Sequence, residues 1–336
     1  MGYVALMGQE NILGMFEPEK RPVALMLVMF IGTILVSLFL IQLYPSQYRV
    51  FGSDTNNPVN PLLYIVMIVI FTFLLLFIVK KGFIGFIRIV ILLAVATTIV
   101  YVMYPIYYYL APFYYSSDEI YTTYVDLPFT LAFFTSYVLT LLTVFRPEWY
   151  VVNFVGFLMS AGVIAIFGIS FGILPALVLL MALAIYDAWA VYWRKHMIDL
   201  ADTITELHLP MMMVSPKTEE YSYEKETGLK KKLDAGEERE AMFMGLGDIV
   251  IPGVLVAVAA ASLPATPIFG IPSNIITAIG TLIGGVSGFL VLMTFVLKGR
   301  PQAGLPLLNG GTILGYVLTY LLVYRDLTLG IRFPWW

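Results

Sequence analysis

Cysteine is missing from this 336-residue chain, histidine occurs twice, and charged residues make up only 12% of it. The first scarcity excludes disulfides, thiol nucleophiles and thiolate metal sites. The second weighs against a serine nucleophile. Gly168-Ile169-Ser170-Phe171-Gly172 has Gly-x-Ser-x-Gly spacing, but such a serine needs a base beside it, and His196 and His208 both lie in a polar loop. The segment reads as a tight turn. No His-Glu-x-x-His occurs, which argues against the zinc hydrolysis of that motif, and no metal or organic cofactor is expected. The third scarcity identifies the solvent. With 60% hydrophobic residues and a mean hydropathy of +0.88, a soluble domain of this length would not stay in solution, so the chain sits largely in lipid. The net charge of −3 gives no reason to expect a nucleic-acid partner.

Long apolar runs are abundant. Crossing the hydrocarbon core takes about 20 residues of helix, and polar breaks delimit nine such runs: Val23–Tyr44, Leu62–Val79, Phe83–Leu110, Leu127–Phe145, Trp149–Gly168, Phe171–Trp193, Ala241–Ser262, Ile271–Leu297 and Gly304–Val323. The expected fold class is all-α, a polytopic membrane protein of about nine transmembrane helices. The first run follows a tail with Glu10, Glu17 and Glu19, lacks a small-residue cleavage site and exceeds the apolar region of a signal peptide, so it is expected to remain as a span. Gly280, Gly284 and Gly288 predict a packing face on the eighth run. Pro175 and Pro252 predict kinks, and Trp335 and Trp336 interfacial anchors. Three parts result: residues 1–193 with six spans, a polar loop over 194–240, and residues 241–336 with three spans.

An odd number of spans puts the termini on opposite sides. Of 19 Lys and Arg, all but Arg49, Arg325 and Arg332 fall on the side of the amino terminus and the long loop. The positive-inside rule makes that side cytoplasmic and puts the carboxy terminus outside. The expected location is the cell membrane, with many passes.

Of 22 acidic residues, all but Asp187 and Asp248 fall in loops, tails or the first turn of a span. An ionisable group within a span costs at least about 2.5 to 3.5 kcal/mol on insertion scales, so it signals a partner, a water-filled cavity or a function. Asp187 lies seven residues before Arg194 and Asp248 eight beyond Glu240, depths of about 10 and about 12 Å at the helical rise. The two spans run antiparallel, so both acids come out at nearly one depth. Two carboxyls held close in low dielectric cannot both ionise easily and share one proton near neutrality. Such a pair suits peptide hydrolysis: the ionised member takes a proton from an attacking water while the protonated member donates to the carbonyl oxygen.

Tyr186-Asp187 in one span and Gly245-Leu246-Gly247-Asp248 in the next resemble the presenilin and signal peptide peptidase family of Gly-x-Gly-Asp intramembrane aspartyl proteases, in its archaeal-type form. Ala303-Gly304-Leu305-Pro306 is similar to the family's Pro-Ala-Leu-Pro element. Leu305 and Pro306 match, whereas Ala303 and Gly304 depart from it. The resemblance implies a catalytic pair, Asp187 and Asp248, supported by Tyr186, Gly245, Leu246 and Gly247. It implies a substrate that is itself a transmembrane segment, unwound and aligned as a strand. Gly304, Leu305 and Pro306 would touch it, because proline biases its predecessor toward extended backbone and such an edge can pair with a strand. In that family a segment like the apolar island Leu209-Pro210-Met211-Met212-Met213 is the site of self-cleavage; the alternative reading is an island that simply lies on the bilayer surface. Two rival readings use the same acids: a proton- or cation-coupled carrier, and a prepilin-type aspartyl peptidase.

Overall fold

A computed structural model describes residues 21–52, 55–81, 84–111, 126–191, 210–218, 221–223, 240–297 and 302–331. The amino-terminal tail, both histidines, Trp335, Trp336 and most of the polar loop lie outside the described residues. In lipid every backbone N–H and C=O needs a partner inside the protein, which favours helices. Among the described residues nine helices follow one another: α1 Arg21–Leu43, α2 Val59–Lys80, α3 Ile84–Leu110, α4 Leu127–Phe145, α5 Trp149–Ser170, α6 Ile173–Trp189, α7 Gly247–Ser262, α8 Ser273–Val296 and α9 Gly304–Tyr324. Six are long and apolar enough to cross a membrane; α6 and α7 are apolar but shorter, at 17 and 16 residues.

The shortness of α7 corrects one expected boundary. The run that begins at Ala241 does not open as helix. Ala241–Gly245 is a strand, β2, antiparallel to β1 at Met212–Pro216 with Met212 opposite Gly245. Two of the five residues of the Leu209–Met213 island therefore belong to a sheet: Met212 and Met213 are in β1, and Leu209 is outside the described residues. A second two-residue pairing, β3 Pro267–Ile268 with β4 Ile271–Pro272, closes the turn between α7 and α8.

Five helices pack around α7. Every residue from Pro252 to Ala259 is buried, the pattern of a helix apolar all round, with α1, α5, α6, α8 and α9 as neighbours. Small residues allow the approach: a Cβ on Gly253 would lie 2.7 Å from Ile164 of α5, and one on Gly168 only 2.6 Å from Ala257. The predicted glycine face of α8 meets glycines of α9, with Gly284 against Gly311 and Gly315. Phe171 and Gly172 form the whole link from α5 to α6, so the tight turn is there as expected. Pro175 stands in the first turn of α6, where a missing N–H loses no helical bond, and no kink is required of it.

Candidate active site

Asp187 sits two residues before the end of α6 and is 7% exposed. The carboxylate meets the start of another helix. The Leu305 N–H donates to Asp187 Oδ2 at 3.0 Å, and the Gly304 N–H is turned toward the same group. These are the first two residues of α9, whose N–H groups have no partner within their own helix. The positive end of the helix dipole also favours an acid there. Asp187 thus caps a helix that begins 117 residues after it in the chain.

Asp248 arrives differently. The expected continuous seventh span would set it mid-helix, but β2 runs to Gly245 and α7 starts at Gly247, so Asp248 is in the first helical turn. Both acids do lie at one end of the bundle; the helical-rise estimate of their depth does not hold, because a strand replaces helix before Asp248. Leu246 N–H bonds to Met211 O at 3.2 Å, and the Leu246 side chain packs over α5, where a Cβ on Gly156 would come within 3.1 Å of it. Four residues on, Pro252 has no N–H to offer the Asp248 carbonyl, which loosens the helix beside the acid.

The two carboxylates converge on one short piece of backbone. A Cβ on Gly304 would lie 3.4 Å from each Asp248 oxygen, while the next residue donates to Asp187. The acids are close enough for their charges to interact. Gly304 in place of the alanine usual for this element therefore keeps a methyl off the Asp248 carboxylate. Gly245 is also near, its would-be Cβ 3.7 Å from Asp248 Oδ2, whereas at Gly247 a Cβ meets nothing within 4 Å. The space over Gly247 is open.

One predicted support, Tyr186, and two predicted substrate contacts, Leu305 and Pro306, stand otherwise than expected. Tyr186, about 100° round the helix from Asp187, is 40% exposed and lies against Trp189 with ring centroids 6.2 Å apart. Its position is outward, beside the acid and not over it. Leu305 and Pro306 are not extended; both are in the first turn of α9. Proline suits that turn because its lacking N–H would be unsatisfied there anyway, and the Leu305 N–H is committed to Asp187.

Next to the acids lies a strand edge. Alternation along the β1–β2 ladder, fixed by Leu246 N–H to Met211 O and Lys217 N–H to Glu240 O, turns the backbone groups of Ala241, Phe243 and Gly245 away from β1. No described residue pairs with them. The other edge, on β1, is occupied at Val214: the Asn153 side chain on α5 donates to Val214 O and accepts from Val214 N–H, both at 2.7 Å. A second amide, Asn309, 0% exposed on α9, donates to Leu180 O on α6 at 2.8 Å, one turn along from the Leu305–Asp187 bond. Sequence reasoning singled out neither amide. A lone Asn within an apolar span, usually placed to bond between elements, was the available signal.

A model of the signal-peptide peptidase and presenilin aspartyl protease family matches residues 23–324. The chain belongs to that family. Two solved structures, both of a presenilin family intramembrane aspartate protease, in space groups C222 and P2, are each 30% identical to it over 90% of this chain. They cover 99% and 98% of their own chains, with TM-scores of 0.62 and 0.60. No curated protein matches the chain. The protein is an integral, multi-pass membrane enzyme, an aspartic endopeptidase acting within the membrane, and its substrates are accordingly membrane-embedded. The carrier reading of the two acids falls with this membership.

Proposed function

We propose that Asp187 and Asp248 are the catalytic pair of this protease and that they hydrolyse peptide bonds inside transmembrane segments. The convergence of both carboxylates, one from the end of α6 and one from the start of α7, on Gly304–Leu305 of α9 carries the reading. Three helix ends and one strand end meet here for no packing gain that apolar residues would not provide better.

The chemistry needs one water and one shared proton. The ionised carboxylate removes a proton from the water as its oxygen bonds to the scissile carbonyl carbon, and the protonated partner gives its proton to the carbonyl oxygen. Collapse of the tetrahedral intermediate breaks the C–N bond, and a proton passes to the departing amine. Either acid can take either role. Water reaches the pair from the open side over Gly247, and no metal is required.

A helical amide is hydrogen-bonded and shielded, so the scissile segment has to be extended before attack. The free edge of β2 provides the template: a strand adding to Phe243 and Gly245 satisfies its own backbone groups in lipid and ends beside Asp248. This edge replaces Leu305–Pro306 as the pairing surface. Gly304 borders the bound strand. With the amino terminus cytoplasmic, as the charge asymmetry favours, the cut falls toward the cytoplasmic side.

The test is cleavage of a reconstituted transmembrane peptide by wild type, Asp187→Ala and Asp248→Ala, with product masses and an aspartyl transition-state mimic as control. Loss of cleavage in both folded variants supports the pair. Activity surviving either substitution removes that acid from the mechanism. Products cut at the membrane surface instead of within the apolar segment would assign the enzyme to prepilin-type specificity.

A further inference from the structure

We infer that Asn153 fixes where along a bound strand the cut falls. The inference rests on the strand-addition reading above and deepens it. β2 is joined covalently to the Gly-x-Gly-Asp turn, but its hold on the helices is slight compared with that of β1, which packs along α5. The sheet is therefore positioned chiefly through β1, and β1 is fastened at two polar points. Ser215 Oγ donates to Pro22 O of α1 at 3.0 Å. Asn153, 5% exposed, holds both backbone groups of Val214.

The second fastening is the more specific. A side-chain amide presents one donor and one acceptor with the spacing of a peptide group, so Asn153 stands in for the neighbouring strand that β1 lacks. Val214 lies directly opposite Phe243, the central residue of the free edge. One line therefore runs from the Asn153 amide through Val214 to Phe243 and on to the substrate backbone. α5 also supports the catalytic turn, since Gly156, three residues after Asn153, receives the Leu246 side chain. A single helix thus references both the sheet and the turn that carries Asp248.

Removing the amide frees the sheet to shift against the carboxylates. A strand paired to β2 then has no unique position. Backbone groups face β2 only at every second residue, so alternative pairings differ by two residues, about 6.8 Å. Asn153 is a positioning residue: it touches neither acid nor substrate.

The test uses the full chain in lipid with one transmembrane peptide. Asn153→Leu, close in size and without the amide, is expected to turn a dominant cut into a mixture with new products displaced by two residues. KM rises on the order of tenfold while kcat changes less. Asn153→Gln, which keeps both amide functions, returns the pattern toward wild type. Hydrogen exchange resolved to single amides supplies an independent readout: the Val214 N–H exchanges slowly in wild type without substrate and fast in Asn153→Leu. A folded Asn153→Leu enzyme with the wild-type product pattern overturns the inference, as does fast Val214 exchange in wild type, which needs no variant to fold. Failure of the peptide to protect the Phe243 and Gly245 amides in wild type would instead sink strand addition, whatever Asn153 does.

Discussion

The last turn of α6 and the β2–α7 junction each deliver one carboxylate, but the first holds its acid and the second leaves it loose. Asp187 is buried and bound to the start of α9. Asp248 is partly exposed, stands among Gly245, Gly247 and Gly304, and accepts no hydrogen bond from the described residues. One acid is part of the scaffold; in the proposed mechanism the other adjusts to water and substrate. A pair that exchanges a proton with a mobile substrate gains from having one fixed reference and one adaptable member.

The comparison breaks at once if the acids are unequal in chemistry. Asp187→Asn and Asp248→Asn are each expected to lower kcat/KM by on the order of 10³-fold or more, measured on a reconstituted peptide. A variant that keeps a tenth of the wild-type rate would show that its acid only assists.

Crowding the looser acid has the next largest effect. A Cβ at Gly304 lies 3.4 Å from both Asp248 oxygens, so Gly304→Val displaces that carboxylate. A misplacement of about 1 Å costs on the order of 10²-fold in rate. Gly304→Ala, which adds one methyl at a tolerable distance, is expected to lose less than about tenfold. Equal rates for both variants would mean that Asp248 is free to move away.

Stability should separate the acids where activity does not. Asp187→Ala leaves the Leu305 N–H without its partner in a part-buried setting, at a cost of about 1 to 3 kcal/mol. Asp248→Ala removes a carboxylate that bonds to nothing described and should stay within about 0.5 kcal/mol of wild type. Thermal unfolding in one detergent compares them. Equal melting points would mean that the α9 cap does not hold in solution.

Much of this was legible from residue order alone, for physical reasons that also explain the misses. Helices in lipid are announced by continuous apolar runs, and each of the nine runs holds a helix, the seventh only from Gly247 on. An acid inside such a run is conspicuous, which is how Asp187 and Asp248 were found. β2 was hidden because Ala-Met-Phe-Met-Gly is apolar and adjoins a helix, and a short apolar run does not declare its period. Its partner β1 lies across a long polar stretch, so nothing local marks the pairing. Leu305-Pro306 misled for a related reason: proline disfavours helix for the residue before it, yet the first turn of a helix tolerates it. Asn153 and Asn309 carry one polar side chain each among apolar neighbours, and only the packing of distant elements gives them partners.

A third carboxylate calibrates the pair and gives the smallest expected effect. Asp326, just past the end of α9, accepts from the Thr328 hydroxyl and N–H and from the Tyr320 hydroxyl. The Thr328 hydroxyl above all, then the Thr328 N–H, holds its pKa below the usual carboxylate range. A carboxyl more acidic folded than unfolded stabilises above its unfolded value and loses that contribution as the pH falls through its folded one. The contacts of residues 326–328 should therefore loosen only in acid, read by exchange of the Thr328 N–H across a pH series. Asp326→Asn should remove this pH dependence and leave cleavage at neutral pH unchanged, because the residue lies at the opposite end of α9 from Leu305. A loss of cleavage in that variant would mean that the two ends of α9 are coupled, and that the hold on Asp187 is set by the whole helix and not by its first turn.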